Sequence, residues 1–349
     1  MSARISVVIP TYRRDDLLQR CLTALAAQTL PASEGSPTAD SEGDIGVARS
    51  GGSRTIGPYE IIVCDDANSP DTNALVLRFS SSAPGLVVRY VAVRGSHGPA
   101  AARNAGWRSA RGEIIAFTDD DCIPSPTWLH AGSVAFADQY TVAAVWGKVR
   151  MPIPDRPTDY QRDAAGLASA EFVTSNCFCR REALEAVGGF DERFGMAWRE
   201  DSDLYFSLRE RGYPVIHCPA AVVVHPIRPA GWGISLRQQR KTQYDALLFK
   251  KHPALYRDSI PPYPRDYYSI VAFALLAMIA AAASAPIESA IAAFAAMAVT
   301  GRFCARRLQG TSHSPGHVTE MIATSLLIPP VSLYWRLRGS IRYRVLFFY

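Results

Sequence analysis

Ile114-Ile115-Ala116-Phe117-Thr118-Asp119-Asp120-Asp121 is an apolar run that stops at three successive carboxylates. It reads as a buried strand ending in acids. Two earlier runs have a related form. Glu60-Ile61-Ile62-Val63-Cys64 ends in Asp65-Asp66, and Ile5-Ser6-Val7-Val8-Ile9 is bounded by Pro10. Val87 to Val93 reads as another strand, and so does 141–150. Between them lie helical patterns. One opens at Asp15-Asp16 and carries Leu18, Cys21, Leu22 and Leu25 on one face. Another covers 99–110, introduced by Gly98-Pro99. Further on, 180–190 reads as a helix closed by Gly188-Gly189, Asp201 to Arg211 as a helix stopped by Gly212, and Ala221 to His225 as a short strand. Strands alternating with helices predict an α/β fold: a Rossmann-like, mainly parallel sheet with helices on both faces.

In such open sheets ligands gather outside the carboxyl ends of the strands. Asp65-Asp66 and Asp119-Asp120-Asp121 are therefore expected in one crevice. A single Asp after a strand is often a turn former or helix cap. Three in succession repel one another and call for a counter-charge. Oxygen ligands suit Mg2+ or Mn2+, and such an ion would hold and neutralise a departing pyrophosphate.

The chain has 349 residues, of which 48% are hydrophobic, and its formal charge is +5. Wholesale disorder is excluded by the apolar share, and a dedicated nucleic-acid binder would be more basic. The basic residues are almost all arginine, with lysine at Lys148, Lys241, Lys250 and Lys251. Seven scattered cysteines, with no CxxC, argue against a disulfide framework and a zinc site. No secretory h-region precedes Pro10, so the first domain is expected in the cytoplasm. Residues 31–58 carry Pro, Ser, Gly and acids without periodicity and read as a disordered loop. No P-loop or G-x-G-x-x-G is present, and no Ser-His-Asp set stands out.

The order and spacing of six segments carry a resemblance. ISVVIPTYRR, EIIVCDD, GPAAARNAGW, IIAFTDDDC, SNCFCRREALEAVGGFDERF and WREDSDLYFSLRERGY together resemble the family 2 glycosyltransferases of the GT-A fold, over roughly residues 4–230. The resemblance implies a role for each matching position. Pro10, Thr11 and Tyr12 would line the nucleotide pocket, with Arg14 near it. Asp66 would recognise the nucleobase through a ring N–H, since a carboxylate only accepts. Arg103 and Asn104 would approach the nucleotide and sugar. Asp119 and Asp121 match the D-x-D pair, with Asp120 between them on the nucleotide-sugar side. Asp121 would ligate the metal directly, Asp119 would serve metal and sugar, and His225 would stand near metal or diphosphate. Glu200-Asp201 resembles the motif that supplies the base, with Asp201 preferred and Glu200 second. Acids in a first helical turn also complement the helix dipole, a reading that suits Asp203 better.

The reaction implied is one direct displacement. An acceptor oxygen attacks the anomeric carbon opposite a UDP or GDP leaving group and inverts its configuration. The acceptor is expected to be a lipid or a cell-envelope glycan. A polyprenyl phosphate acceptor, or a catalytically silent membrane scaffold with the same fold, are the alternatives.

The organisation expected is a catalytic domain over 1–230, an amphipathic connecting helix and linker over 231–265, and a membrane-associated tail over 266–349. Tyr267–Pro286 is long enough to span a bilayer, 289–300 is short for a second span, and Val318–Trp335 is broken by Pro329-Pro330. Arg302, Arg306 and Arg307, then Arg336, Arg338, Arg342 and Arg344, favour the cytoplasmic side and anionic head groups. The protein is thus expected at the cell membrane, with its catalytic domain on the cytoplasmic side. Arg237, Arg240, Lys241, Lys250 and Lys251 form either a solvated face or a grip on lipid phosphate.

Overall fold

Strand β1 (Ile5–Thr11) lies between β2 (Tyr59–Asp65) and β4 (Ile114–Phe117), and both pairings are parallel. The computed structural model describes residues 5–29, 59–137 and 141–347, so the 31–58 segment, expected as a disordered loop, lies outside the described residues. Strand β3 (Val87–Ala92) extends the parallel set on β2. The other half of the sheet is mixed. It contains β5 (Ile123–Pro124), β6 (Ala144–Arg150), β7 (Cys177–Arg180) and β8 (Val215–Val224). The order among the described residues is β3-β2-β1-β4-β7-β6-β8-β5. Strand β7 enters antiparallel between β4 and β6, while β6 and β8 are parallel to each other.

The alternation of β1 explains the layering. Ile5, Val7 and Ile9 share a core with Leu18, Cys21, Leu22 and Leu25 of helix α1 (Asp15–Ala26), the four residues expected on its inner face. Val8 faces the other way. After helix α2 (Pro70–Ser82), helix α3 (Pro99–Ser109) covers that face. Gly106 of α3 lies so close to Val8 and Cys64 that a Cβ there would overlap both side chains. Helix α4 (Trp128–Ala137) follows β5.

The described chain forms two compact units. The sheet, α1 to α4 and residues 171–195 and 208–225 make the first. The second comprises 151–170, 196–207 and 226–349. It holds α5 (Asp159–Ala165), opened by a reciprocal capping box between Thr158 and Gln161. Helix α6 (Arg181–Val187) belongs to the first unit and ends on Gly188 at φ +84, the left-handed cap expected there. Helix α7 (Glu200–Glu210) starts in the second unit and ends in the first. The 231–265 stretch folds as α8 (Ile234–Gln238), a 3-10 turn, α9 (Gln243–Lys251) and α10 (Pro253–Ser259).

Three long helices close the chain: α11 (Arg265–Ala282), α12 (Pro286–Leu308) and α13 (Pro315–Tyr343). By length and composition, α11 and α12 are each able to cross a membrane. The second helix is longer than the apolar run suggests. Arg302 and Arg306 both pair with Asp266 of α11, and Arg307 pairs with Asp159 at 2.8 Å, so the basic end stays helical. Helix α13 runs unbroken through Pro329-Pro330. Each proline removes a ladder hydrogen bond. The flanking turns are anchored instead by side chains: Ser325 and Thr324 accept from Arg307, and Ile328 packs with Ile270 and Phe303.

At the opposite end of the parallel strands, buried Glu60 accepts from Ser6 at 2.8 Å, the Arg111 N–H at 2.6 Å and Arg89 at 3.1 Å. Burial pushes its pKa up, but these donors outweigh burial and hold it below the ordinary glutamate value. A depressed folded pKa means a stabilisation that is full above the ordinary glutamate range and lost as pH falls through the lowered value. Glu60→Gln is expected to lower unfolding stability by about 1–3 kcal/mol at neutral pH. In denaturant titrations across pH, that gap should close in acid.

Candidate active site

The parallel register sets the ends of β1, β2 and β4 side by side. Thr11 pairs with Asp65, the Asp66 N–H donates to Thr11 O at 3.0 Å, and the Thr118 N–H to Val8 O at 3.3 Å. The two acids after β2 then differ. Asp65 is fully buried and accepts from Ala67 N, Ser69 N and the Tyr90 hydroxyl, so it ties the turn into α2. Asp66 is partly exposed. It meets His97 Nδ1 at 2.8 Å and accepts from Gly98 N at 2.9 Å. Gly98 has φ +110 and no room for a Cβ against Gly195, so this loop requires glycine.

The three aspartates after β4 also separate. Asp120 is 1% exposed and accepts from the Thr11 hydroxyl at 2.8 Å and from Arg14 at 3.1 Å. Burial pushes its carboxyl up to about 6; Arg14 and Thr11 oppose this, and Asp121 and Asp119 add to it. Asp119 accepts from the buried guanidinium of Arg103 at 2.8 Å. Asp121 lies 3.6 Å from His225 Nε2. His225 reaches this place through backbone pairing: β5 follows directly on Asp121-Cys122, and Ile123 pairs with Val224 on β8. The His225 Nδ1 is buried, with no hydrogen-bond partner among the described residues.

One ligand atom from each of Asp119, Asp121, Cys122 and His225 lies within 4.8 Å of the others. Carboxylates suit Mg2+ or Mn2+, and imidazole adds a nitrogen donor, so this donor set fits a divalent cation. Cys122 was not among the residues anticipated from sequence; only its adjacency to Asp121 hinted at it. Burial first, then Asp119 and Asp121, pushes its thiol well above the ordinary range.

The remaining anticipated residues have definite places. Tyr12 is exposed and Pro10 half-buried at the end of β1. A hollow of about 760 Å3 beside these strand ends is lined by Arg13, Arg14, Asp15, Asp16 and Asn68 among others, within the size range of ligand pockets. Of the anticipated residues, Arg14 alone lines it. Asn104 is a buried hub. It donates to Phe190 O and Glu192, both at 2.8 Å, and accepts from Trp107 Nε1 at 2.8 Å and Phe190 N at 3.0 Å. Its amide thus has both donors and both acceptor sites engaged within the protein.

Glu200 and Asp201 belong to the second unit. Glu200 is 3% exposed, whereas Asp201 is partly exposed and accepts from Ser202 N at 2.7 Å. The start of α7 is held by neighbours: Trp198 Nε1 and Arg199 both donate to Asp245, at 3.1 and 2.7 Å. Asp203 holds Lys251 and His252. Lys250 donates to Tyr343 O. Lys251 is therefore an internal anchor on a buried carboxylate, while Lys250 stays exposed and ties its ammonium to the backbone of α13. Burial lowers the Lys241 ammonium below the ordinary lysine range, Arg228 lowering it further and Glu200 and Asp163 opposing.

Comparison with known proteins bears on the family and the fold. Residues 6–191 match the family model described as Glycosyl transferase family 2, and residues 132–335 match that of Glycosyl transferase family group 2. Glycosyltransferase AglE of Haloferax volcanii is 27% identical over 238 residues, which is 65% of this chain and 68% of that protein. Validoxylamine A glucosyltransferase of Streptomyces hygroscopicus subsp. limoneus is 25% identical over 296 residues; the match takes in 72% of this chain and 57% of that one. Among solved structures, the mannosyltransferase PcManGT from Pyrobaculum calidifontis, in complex with GDP-Man and Mn2+, aligns over 99% of this chain and 88% of its own. Its TM-score is 0.52 at 21% identity, a likeness of fold, and that fold is the GT-A architecture.

Asn104→Ala would leave Trp107 Nε1 and the Phe190 backbone buried without partners. It is expected to cost about 2–3 kcal/mol of stability, measurable as a shifted denaturant midpoint.

Proposed function

The chain belongs to glycosyl transferase family 2, and from that membership we propose a metal-dependent, inverting transfer of a sugar from UDP or GDP to a lipid or cell-envelope glycan. The protein is a glycosyltransferase, and a nucleotide-sugar is its donor class. The observation that carries the metal-dependent reading is the convergence of Asp119, Asp121, Cys122 and His225 at the carboxyl ends of β4 and β8. A divalent cation held by Asp121 and His225, with Asp119, would neutralise the departing nucleoside diphosphate.

The chain's own residues do the rest. Asp66 keeps acceptor lone pairs beyond those used by His97 and Gly98, and it takes a ring N–H of the base. Arg103 orients Asp119 toward the sugar side. Asp120 is a positioning residue, linking Thr11 and Arg14 to the turn that carries the ligands. Asp201, the more exposed of the two acids opening α7, accepts the proton of the attacking hydroxyl. Glu200, buried beside Lys241, sets the charge around it. A single in-line attack at the anomeric carbon inverts it and needs no covalent nucleophile.

The tail reading is that α11 and α12 form a membrane hairpin. Leu276, Met278, Ile279, Ile291, Phe294 and Met297 are all exposed along it, as lipid contact requires. The basic base at Arg302, Arg306 and Arg307 then marks the cytoplasmic side, where the catalytic domain works.

With a matched donor and acceptor, Asp201→Asn is expected to lower kcat by about 10²–10⁴-fold with donor binding unchanged. Asp121→Asn is expected to remove both turnover and Mn2+-dependent nucleotide binding. Near-normal turnover in either variant would contradict its assignment. The full-length protein should also sediment with membranes and be released by detergent, whereas recovery in the soluble fraction would refute the hairpin.

A further inference from the structure

Helix α13 is covered on one face and bare on the other. On the covered face, Gly339 lies against the backbone of Gln243 with no room for a Cβ. Arg336 reaches Asp245 at 3.4 Å, and Ile328 packs with Ile270 and Phe303. The other face carries Ile322, Leu326, Tyr334, Leu337 and Ile341, between 53% and 69% exposed. Pro330, also exposed, completes a stripe at 322, 326, 330, 334, 337 and 341. Steps of three and four residues keep it on one side of the helix. At 1.5 Å per residue it is about 28 Å long. An exposed apolar strip of this length marks a docking surface.

The charge beside the stripe selects the partner. Arg338, Arg342 and Arg344 are exposed next to its C-terminal half, and no Asp or Glu follows Glu320 in the chain. Tyr334, Leu337, Arg338, Ile341 and Arg342 line a shallow hollow of about 410 Å3 in which apolar and cationic groups alternate. The arginines argue against a span, since α13 would carry them through the hydrocarbon. Its other face is already packed on protein. At Ile328 the helix also joins the base of the α11–α12 hairpin, where Arg302 and Arg306 meet Asp266. A polar base of that kind belongs at the head groups. An apolar stripe flanked by cations, leaving at that level, fits an anionic bilayer surface.

We propose that α13 lies in the plane of the membrane interface, its 322–341 stripe among the upper acyl chains and Arg338, Arg342 and Arg344 on anionic phospholipid head groups. This rests on the reading that the α11–α12 hairpin enters the membrane. The helix then fixes the depth of the second unit, to which Glu200 and Asp201 belong.

The test is spin-label depth measurement on the full chain in vesicles of phosphatidylcholine and phosphatidylglycerol. Labels are placed one at a time by Ile322→Cys, Leu326→Cys, Leu337→Cys and Ile341→Cys, with Ile279→Cys on α11 as reference, in a Cys218→Ser/Cys304→Ser background. The expected result is one shared depth for the four α13 sites, about 5–10 Å below the head groups, with Ile279 deeper. In phosphatidylcholine alone, or with Arg338→Gln/Arg342→Gln/Arg344→Gln, the α13 labels should move toward water while Ile279 stays. Depth that changes steadily from 322 to 341 would mean a span and overturn the proposal. Aqueous labels on α13 with a lipid-buried Ile279, or labels shielded from both lipid and water by a second copy, would overturn it while leaving the hairpin intact. An aqueous Ile279 would overturn the hairpin reading and this proposal together. Identical depths in both lipid mixtures would refute the role of the arginines.

Discussion

The site depends on one buried carboxylate. Asp120 is nearly inaccessible, and its two oxygens take the Thr11 hydroxyl from the end of β1 and the Arg14 guanidinium from the start of α1. That contact locks the turn after β4 to the neighbouring strand. Asp119 is left to Arg103 and Asp121 to His225. Without the lock, three adjacent acids would repel one another in a mobile turn. With it, two of them are held where a cation can be shared and the third is covered. The interior accommodates this because Arg14 and Thr11 offset part of the cost of burial.

The second unit shows the same use of buried ion pairs. Asp245 takes Trp198, Arg199 and Arg336, so one carboxylate organises the entry to α7 and a turn of α13. Asp159 takes Arg162 and Arg307, joining α5 to the end of α12. These anchors explain how helices with bare apolar faces keep defined positions. Charge networks hold their inner sides and leave the outer sides bare.

Much of this was legible in the sequence, for identifiable reasons. The buried parallel strands are continuous apolar runs, and the inner face of α1 falls on Leu18, Cys21, Leu22 and Leu25 through simple periodicity. Helix α6 ended at its glycine. Other elements left weaker traces. Strand β7 is four residues long and owes its place to two long-range antiparallel pairings. Helix α2 has only a Ser-Pro start, in which Ser69 caps and Pro70 opens the first turn, and little amphipathic pattern beyond it. The continuity of α13 through two prolines comes from packing, which overrides local preference. Within the site, residue type could not distinguish Asp119, Asp120 and Asp121 from one another; the turn does that. Cys122 joins the cluster through geometry alone, and Asn104 is revealed as a structural hub only by its four hydrogen bonds to Phe190, Glu192 and Trp107.

The central claim is that the strand ends hold a nucleotide-sugar through a divalent cation. A thermal-shift screen of UDP- and GDP-sugars, with Mn2+ and with EDTA, tests it most directly. One donor should raise the melting temperature in Mn2+ progressively with its concentration, for a stabilisation of about 2.7 kcal/mol at a hundredfold excess over Kd, and EDTA should abolish the shift. An equal shift with and without the metal, or none with any donor, would contradict it.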